Sequence, residues 1–202
     1  MIAGLYILYT VSNESSFNDF SGLNKITILY GVTVVYLGPG SMMMHGTNTE
    51  WGGWADNLSM VMYIIIPWLY NLYRMSDWSV NTFLNVYVLI VIFYAVMRGL
   101  FGHGMGIGLD LFGVSIGLWV ISEFLYRFWS PSMRFISGFV GFLVMMIFGI
   151  FPSEVFENID QYWWIIFFWL PGLLANKKPN RSRTYIWYLS LIHISEPTRL
   201  TS

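Results

Sequence analysis

The sequence predicts an all-α, polytopic transmembrane helix bundle, and three observations carry that prediction. The 202 residues are 56% hydrophobic and only 10% charged, where ordinary globular chains carry about 25% charge. The mean hydropathy is +0.58. The apolar residues fall in runs of about 20, the length that crosses a bilayer as a helix, with no alternating pattern of the kind a transmembrane barrel shows. So few charged side chains would leave a soluble domain of this size with large apolar patches. Lys+Arg 10 against Asp+Glu 11 lacks the basic excess of a nucleic-acid binder, so no nucleic-acid partner is expected. With Cys 0, disulfides, thiolate metal sites and cysteine nucleophiles are excluded.

Backbone exposed to lipid must satisfy its own hydrogen bonds, so each long apolar run is read as a helix. Met1–Val11 is about half a span. It has neither a basic leading region nor a small-residue cleavage site, so it reads as a helix whose beginning is missing rather than a signal peptide. Ile26–His45, Trp54–Tyr73, Val80–Leu100, Met105–Tyr126 and Met133–Phe151 follow as full-length spans. Tyr162–Ala175 is short and crosses only if it begins inside the preceding loop. The total is about seven membrane segments, the first incomplete, in one domain over residues 1–188. Pro39, Pro67 and Pro171 each remove a helix hydrogen bond and predict kinks.

Loop charge supports that count. With seven crossings, Lys25, Arg74, Arg127, Arg134, Lys177, Lys178, Arg181 and Arg183 share one side; of the 10 Lys+Arg only Arg98 and Arg199 do not belong to this set. Basic loops are retained in the cytoplasm, which predicts a multi-pass protein with the start of the chain on the non-cytoplasmic side. Residues 189–202, from Leu189 to Ser202, resemble a translated cloning-adapter sequence and read as a non-native tail. Thr184–Leu191 begins like another span and then turns polar, so the chain reads as a fragment.

Ionisable residues at membrane depth cost about 2.5–3.5 kcal/mol each on insertion scales and call for a reason. The informative stretch is Gly40-Ser41-Met42-Met43-Met44-His45-Gly46-Thr47, followed by Trp51-Gly52-Gly53-Trp54-Ala55-Asp56. Ser41 and His45 are four residues apart, so on a helix they share a face about 6 Å apart along its axis. Asp56 lies early in the next, antiparallel span, so the three side chains can meet near one mouth of the bundle. A hydroxyl, an imidazole and a carboxylate at a partly dry site can hold a water and take its proton. Each alone also fits a plainer role: a serine bonding its own helix, a histidine at the interface, an aspartate capping a helix. A lone histidine makes no zinc site, which needs three protein ligands.

These residues resemble a known pattern. Gly-Ser-x-x-x-His-x-Thr followed by Trp-Gly-x-x-x-Asp resembles the alkaline ceramidase branch of the CREST superfamily of seven-helix membrane hydrolases. Met1-Ile2-Ala3-Gly4-Leu5-Tyr6 is similar to the middle of that branch's first helix. The resemblance covers roughly the first half of the chain. It implies a zinc-dependent hydrolase cleaving a lipid amide such as a ceramide, with His45 as a Zn2+ ligand and Ser41 and Asp56 as catalytic groups. Asp56 would accept a proton from the metal-bound water, and Ser41 would help hold that water or the oxyanion. The family's later His-x-x-x-His pair, which supplies the remaining zinc ligands, is absent from this chain.

Other polar residues stay open. His103, with Asp110 seven residues later, is read as lining the site's mouth or as a loop histidine at the interface. Asp110 and Glu123 are read as charges within a span, pairing with Arg98 or Arg127 or facing a cavity. A competing function follows from them: a transporter or receptor-like bundle in which Asp56, His103, Asp110 and Glu123 form a proton or ion path. Met42-Met43-Met44 and Trp163-Trp164 read as packing and interfacial belt.

Overall fold

The computed structural model describes residues 1–13 and 24–178. Among them the chain is all-helical, with no strand. Nine helices follow in order: α1 (Ile2–Asn13), α2 (Asn24–Thr47), α3 (Glu50–Met75), α4 (Val80–Phe101), α5 (Leu111–Arg127), α6 (Met133–Ile136), α7 (Val140–Ile147), α8 (Pro152–Glu157) and α9 (Leu170–Leu174). Short 3₁₀ turns at His103–Gly106, Ser137–Phe139 and Trp163–Trp169 complete the described elements. The tail at 189–202 lies outside the described residues.

α3 is the hub. It packs against α2, α4 and α5, and its stretch Ile64–Leu72 is buried on every side. α2 runs antiparallel to both α1 and α3, and glycines set the approach on each side. A Cβ at Gly4 would sit 2.5 Å from the Val35 nitrogen, and one at Gly31 would meet the Leu8 side chain. α4 lies antiparallel to α3, tied by the Trp54 indole donating to the Ala95 carbonyl (2.9 Å) and the Tyr87 hydroxyl donating to Met62 (3.1 Å). Of α4, Phe83, Tyr87 and Tyr94 are buried, while Val88, Leu89, Ile92, Phe93, Val96 and Leu100 are exposed. A helix whose outer face is as apolar as its inner one suits lipid rather than water.

Two helices, α2 from Lys25 and α4, are long and apolar enough to cross a membrane. α3 is longer still, at 26 residues, but carries Asp56, Asn57, Asn71 and Arg74. Three of the expected membrane segments differ in shape. The helix expected from Met105 starts at Leu111, because Gly102, Met105, Gly106 and Gly108 all adopt positive φ (72, 54, 71 and 70°) and turn the chain before it. The run Met133–Phe151 is divided by the turn at Ser137–Phe139, and α7 ends before Gly149 at φ 82°. Tyr162–Ala175 divides likewise into a 3₁₀ turn and α9, and Pro171 opens α9 instead of kinking a longer helix. Proline is tolerated there because a first-turn N–H has no partner in its own helix.

The second half of the chain docks through aromatic wedges. Phe168, 1% exposed, fills the space that Gly117 of α5 and Gly141 of α7 leave open. The Arg134 guanidinium donates to the Gly172 and Leu173 carbonyls at 2.9 and 3.2 Å, satisfying the end of α9. Beyond α9, the Asn176 and Lys177 amides bond the Met75 carbonyl at 2.8 and 3.1 Å, and Ser76 donates to Leu174 at 2.7 Å. Lys177 pairs with Asp77 at 2.8 Å. These bonds fasten the segment after α9 to the α3–α4 turn.

Candidate functional site at the α2–α3 hairpin

Two residues, Asn48 and Thr49, separate α2 from α3. Asn48 takes φ 48°, a left-handed turn that asparagine tolerates better than most residues. Thr49 caps α3, its hydroxyl accepting from the Gly52 amide at 3.1 Å. The Thr47 hydroxyl donates to the Met43 carbonyl at 2.6 Å and lies 2.9 Å from the Thr49 hydroxyl. The turn is therefore stitched by its own threonines.

Two glycines then bring the helices into near backbone contact. A Cβ at Gly52 would stand 2.5 Å from the Met43 carbonyl oxygen and 2.6 Å from the Thr47 hydroxyl. One at Gly40 would stand 2.6 Å from the Ser59 hydroxyl and 3.1 Å from the Ala55 carbonyl oxygen. These contacts fix the register. Gly40 lies between Ala55 and Ser59, about level with Asn57, and because the helices are antiparallel Ser41, one step on, comes level with Asp56, one step back. His45 lies one turn closer to the hairpin, in the last turn of α2.

Ser41 and Asp56 are half-buried and His45 is exposed. Among the described residues, no hydrogen bond or ion pair joins the three side chains to one another. Capping does not occupy Asp56, because Thr49 caps α3 and Asp56 lies beyond its first turn. Its neighbours bond to backbone instead: Ser59 donates to the Asp56 carbonyl and Asn57 to the Gly53 carbonyl, both at 2.7 Å. The Asp56 carboxylate is left outside those bonds. The helix pair thus carries a hydroxyl, an imidazole and a carboxylate at one end, with none committed to holding the fold.

No family model, curated protein or solved structure matches this chain.

The remaining candidates go elsewhere. His103 is exposed in the turn after α4. Asp110 caps α5, its carboxylate accepting from the Phe112 amide at 3.1 Å, so it stands at a helix end and not within a span. The positive-φ turns between them break any helical register that would put both on one face. Glu123 belongs to a polar group that the sequence reading did not assemble. The buried Asn71 amide donates to the Ser122 hydroxyl and to the Glu123 carboxylate, both at 3.0 Å, and Ser122 donates to the Trp119 carbonyl at 2.8 Å. The available signal was one amide inside the apolar run Leu69-Tyr70-Asn71-Leu72.

Zinc takes three or four protein donors. Among the described residues no three of His, Cys, Asp and Glu gather closely enough to hold a metal, and His45 is the hairpin's single imidazole. The described residues therefore do not complete a zinc site.

Proposed function

We propose that this chain is part of an integral membrane hydrolase that cleaves a lipid amide, resembling the alkaline ceramidases, with Ser41, His45 and Asp56 at its site. One observation carries the reading: Ser41 and Asp56 stand level across a glycine-tight helix pair, with His45 a turn away and none of the three spent on structure. Polar residues at membrane depth that hold nothing together are costly to keep without a chemical use. In this reading the chain crosses the membrane about seven times, its basic loops face the cytoplasm, and the hairpin opens on the other side.

The chemistry assigned to this chain's own residues is modest. A water placed between the helices adds its oxygen to the amide carbonyl carbon while Asp56 takes its proton. Ser41 donates a hydrogen bond to the oxygen that gains charge. The carbon–nitrogen bond then breaks, and the amine leaves with the proton. His45 holds the position of a zinc ligand in the family this pattern resembles; a complete zinc site would need donors beyond the described residues, so no step is drawn through the metal.

The test is release of fatty acid from a fluorescent ceramide analogue in detergent-solubilised membranes supplied with zinc. Asp56→Asn and His45→Ala are expected to lose about 100-fold or more in rate. Full activity in both variants overturns the assignment.

A second reading has one specific observation behind it. The Asn71–Ser122–Glu123 network places a carboxylate between α3 and α5, as in a transporter-like bundle with a proton path. Proton flux into liposomes that survives a chelator and fails in Glu123→Gln would favour it.

A further inference from the structure

Beside the Asn71–Ser122–Glu123 network, the interface between α3 and α5 carries polar groups that neither reading uses. The Asn71–Ser122 bond, at 3.0 Å, pins the two helices near their ends. α4 returns antiparallel along α3, so α5, which follows it, runs parallel to α3 from the hairpin end. One turn before Asn71 on its face is Trp68; one turn before Ser122 is Trp119, and one turn further is Ser115. Trp68 belongs to the main core and Trp119 packs against that core. Among the described residues, the buried indole nitrogens of Trp68 and Trp119 and the buried Ser115 hydroxyl have no hydrogen-bond partner. Trp68 is 6% exposed and Ser115 0%.

A single orphaned donor can be a local packing compromise. Three on one seam, in line with a bonded network, form a pattern that needs a common partner. That partner must accept from two indole N–H groups, because an indole nitrogen only donates. It must also engage a hydroxyl. Water is the smallest species that accepts twice and donates as well, and buried waters make about three such bonds. A lipid carbonyl oxygen has two lone pairs, so it cannot accept from both indoles and the hydroxyl together.

We propose that the α3–α5 seam is an internal water site, held by Trp68, Trp119 and Ser115, that extends the Asn71–Ser122–Glu123 network into the middle of the bundle. It serves the packing of α3 on α5 whatever reaction the hairpin performs. The seam is then a hydrated polar thread inside an apolar bundle, ending at the Glu123 carboxylate.

Radiolytic hydroxyl labelling of the full chain in detergent tests it, because radicals formed at a bound water oxidise the side chains touching it. With rates normalised for side-chain type, Trp68 and Trp119 are expected to label near the rate of exposed Trp51 and well above buried Phe83 and Phe168. The labelling is expected to persist after exhaustive delipidation and to fall in Ser115→Ala. That variant is also expected to melt about 2–4 °C lower, because it removes a bonded hydroxyl. Labelling of both indoles at the Phe83 rate overturns the proposal, and so does labelling that rises only when lipid is stripped, which would assign the seam to a lipid carbonyl. A higher melting temperature in Ser115→Ala overturns it as well, since deleting a truly orphaned hydroxyl relieves a burial cost. Should Ser115→Ala fail to fold, the wild-type labelling decides alone.

Discussion

The two ends of α3 handle polar residues in opposite ways. At the hairpin end, Ser41, His45 and Asp56 stand beside a seam closed by glycines, and no bond among the described residues links them. At the other end, Asn71, Ser122 and Glu123 are joined in a network at 3.0 Å, and Asp77, Lys177 and Asn176 tie the following segment down. Polar groups that hold a fold together satisfy one another, since an unmet buried group costs about 1–3 kcal/mol. Polar groups kept for chemistry must stay available. On the function proposed above, the difference separates what the helices need for standing from what they carry for use.

Substitutions can break this contrast in order of expected size. Gly40→Leu should be the most damaging, because even its Cβ meets Ser59 and the Ala55 carbonyl; about 2–3 kcal/mol of stability should be lost, read as a lower melting temperature in detergent. Asn71→Leu comes next, at about 1–3 kcal/mol, by stripping the amide from Ser122 and Glu123. A near-neutral Asn71→Leu would mean that the network is decoration. Ser41→Ala, His45→Ala and Asp56→Asn belong at the small end, each within about 0.5 kcal/mol of the parent, because these side chains hold no bond that α2 or α3 depends on.

The Asp77 clasp gives a pH signature. The hydrogen bond and charge of Lys177 hold the Asp77 carboxyl below its ordinary value, helped by Asn176 and opposed slightly by burial. A lowered folded-state value means the clasp's contribution is fully present above the ordinary aspartate value, about 3.9, and is lost as pH falls through the lowered one. The protection of the Asn176 and Lys177 amides against hydrogen exchange, with the intrinsic pH dependence of exchange divided out, should therefore hold at neutral pH and fall in acid only below about pH 4. In Asp77→Asn that acid step should vanish. The group is fully exposed, so the effect is local.

How much was legible in the sequence follows the same division. Helical runs announce themselves through apolar length, so α2, α3 and α4 were readable to within a few residues. The start of α5 was not, because four positive-φ residues between Gly102 and Gly108 convert an apolar stretch into turns. Nor were the breaks at Ser137–Phe139 and Trp163–Trp169, where Gly138 and Gly141 admit the rings of Trp169 and Phe168; such insertions depend on partners distant in the chain. The placement of Ser41 and His45 on one helix and Asp56 on the next was readable, since spacing alone sets it. The role of Asp110 was not: capping depends on where the helix begins. The pairing of Asn71 with Glu123 joins residues 52 apart, and no local pattern encodes it.

The central claim is that Ser41 and Asp56 face a common space across the α2–α3 hairpin, and the absence of native cysteine (Cys 0) makes it directly measurable. The measurement is cross-linking of the Ser41→Cys/Asp56→Cys double variant with a short bifunctional thiol reagent in native membranes, read by proteolysis between the helices. The account predicts that the fragments carrying α2 and α3 stay joined. Cysteines that each take up reagent singly and never join would contradict it.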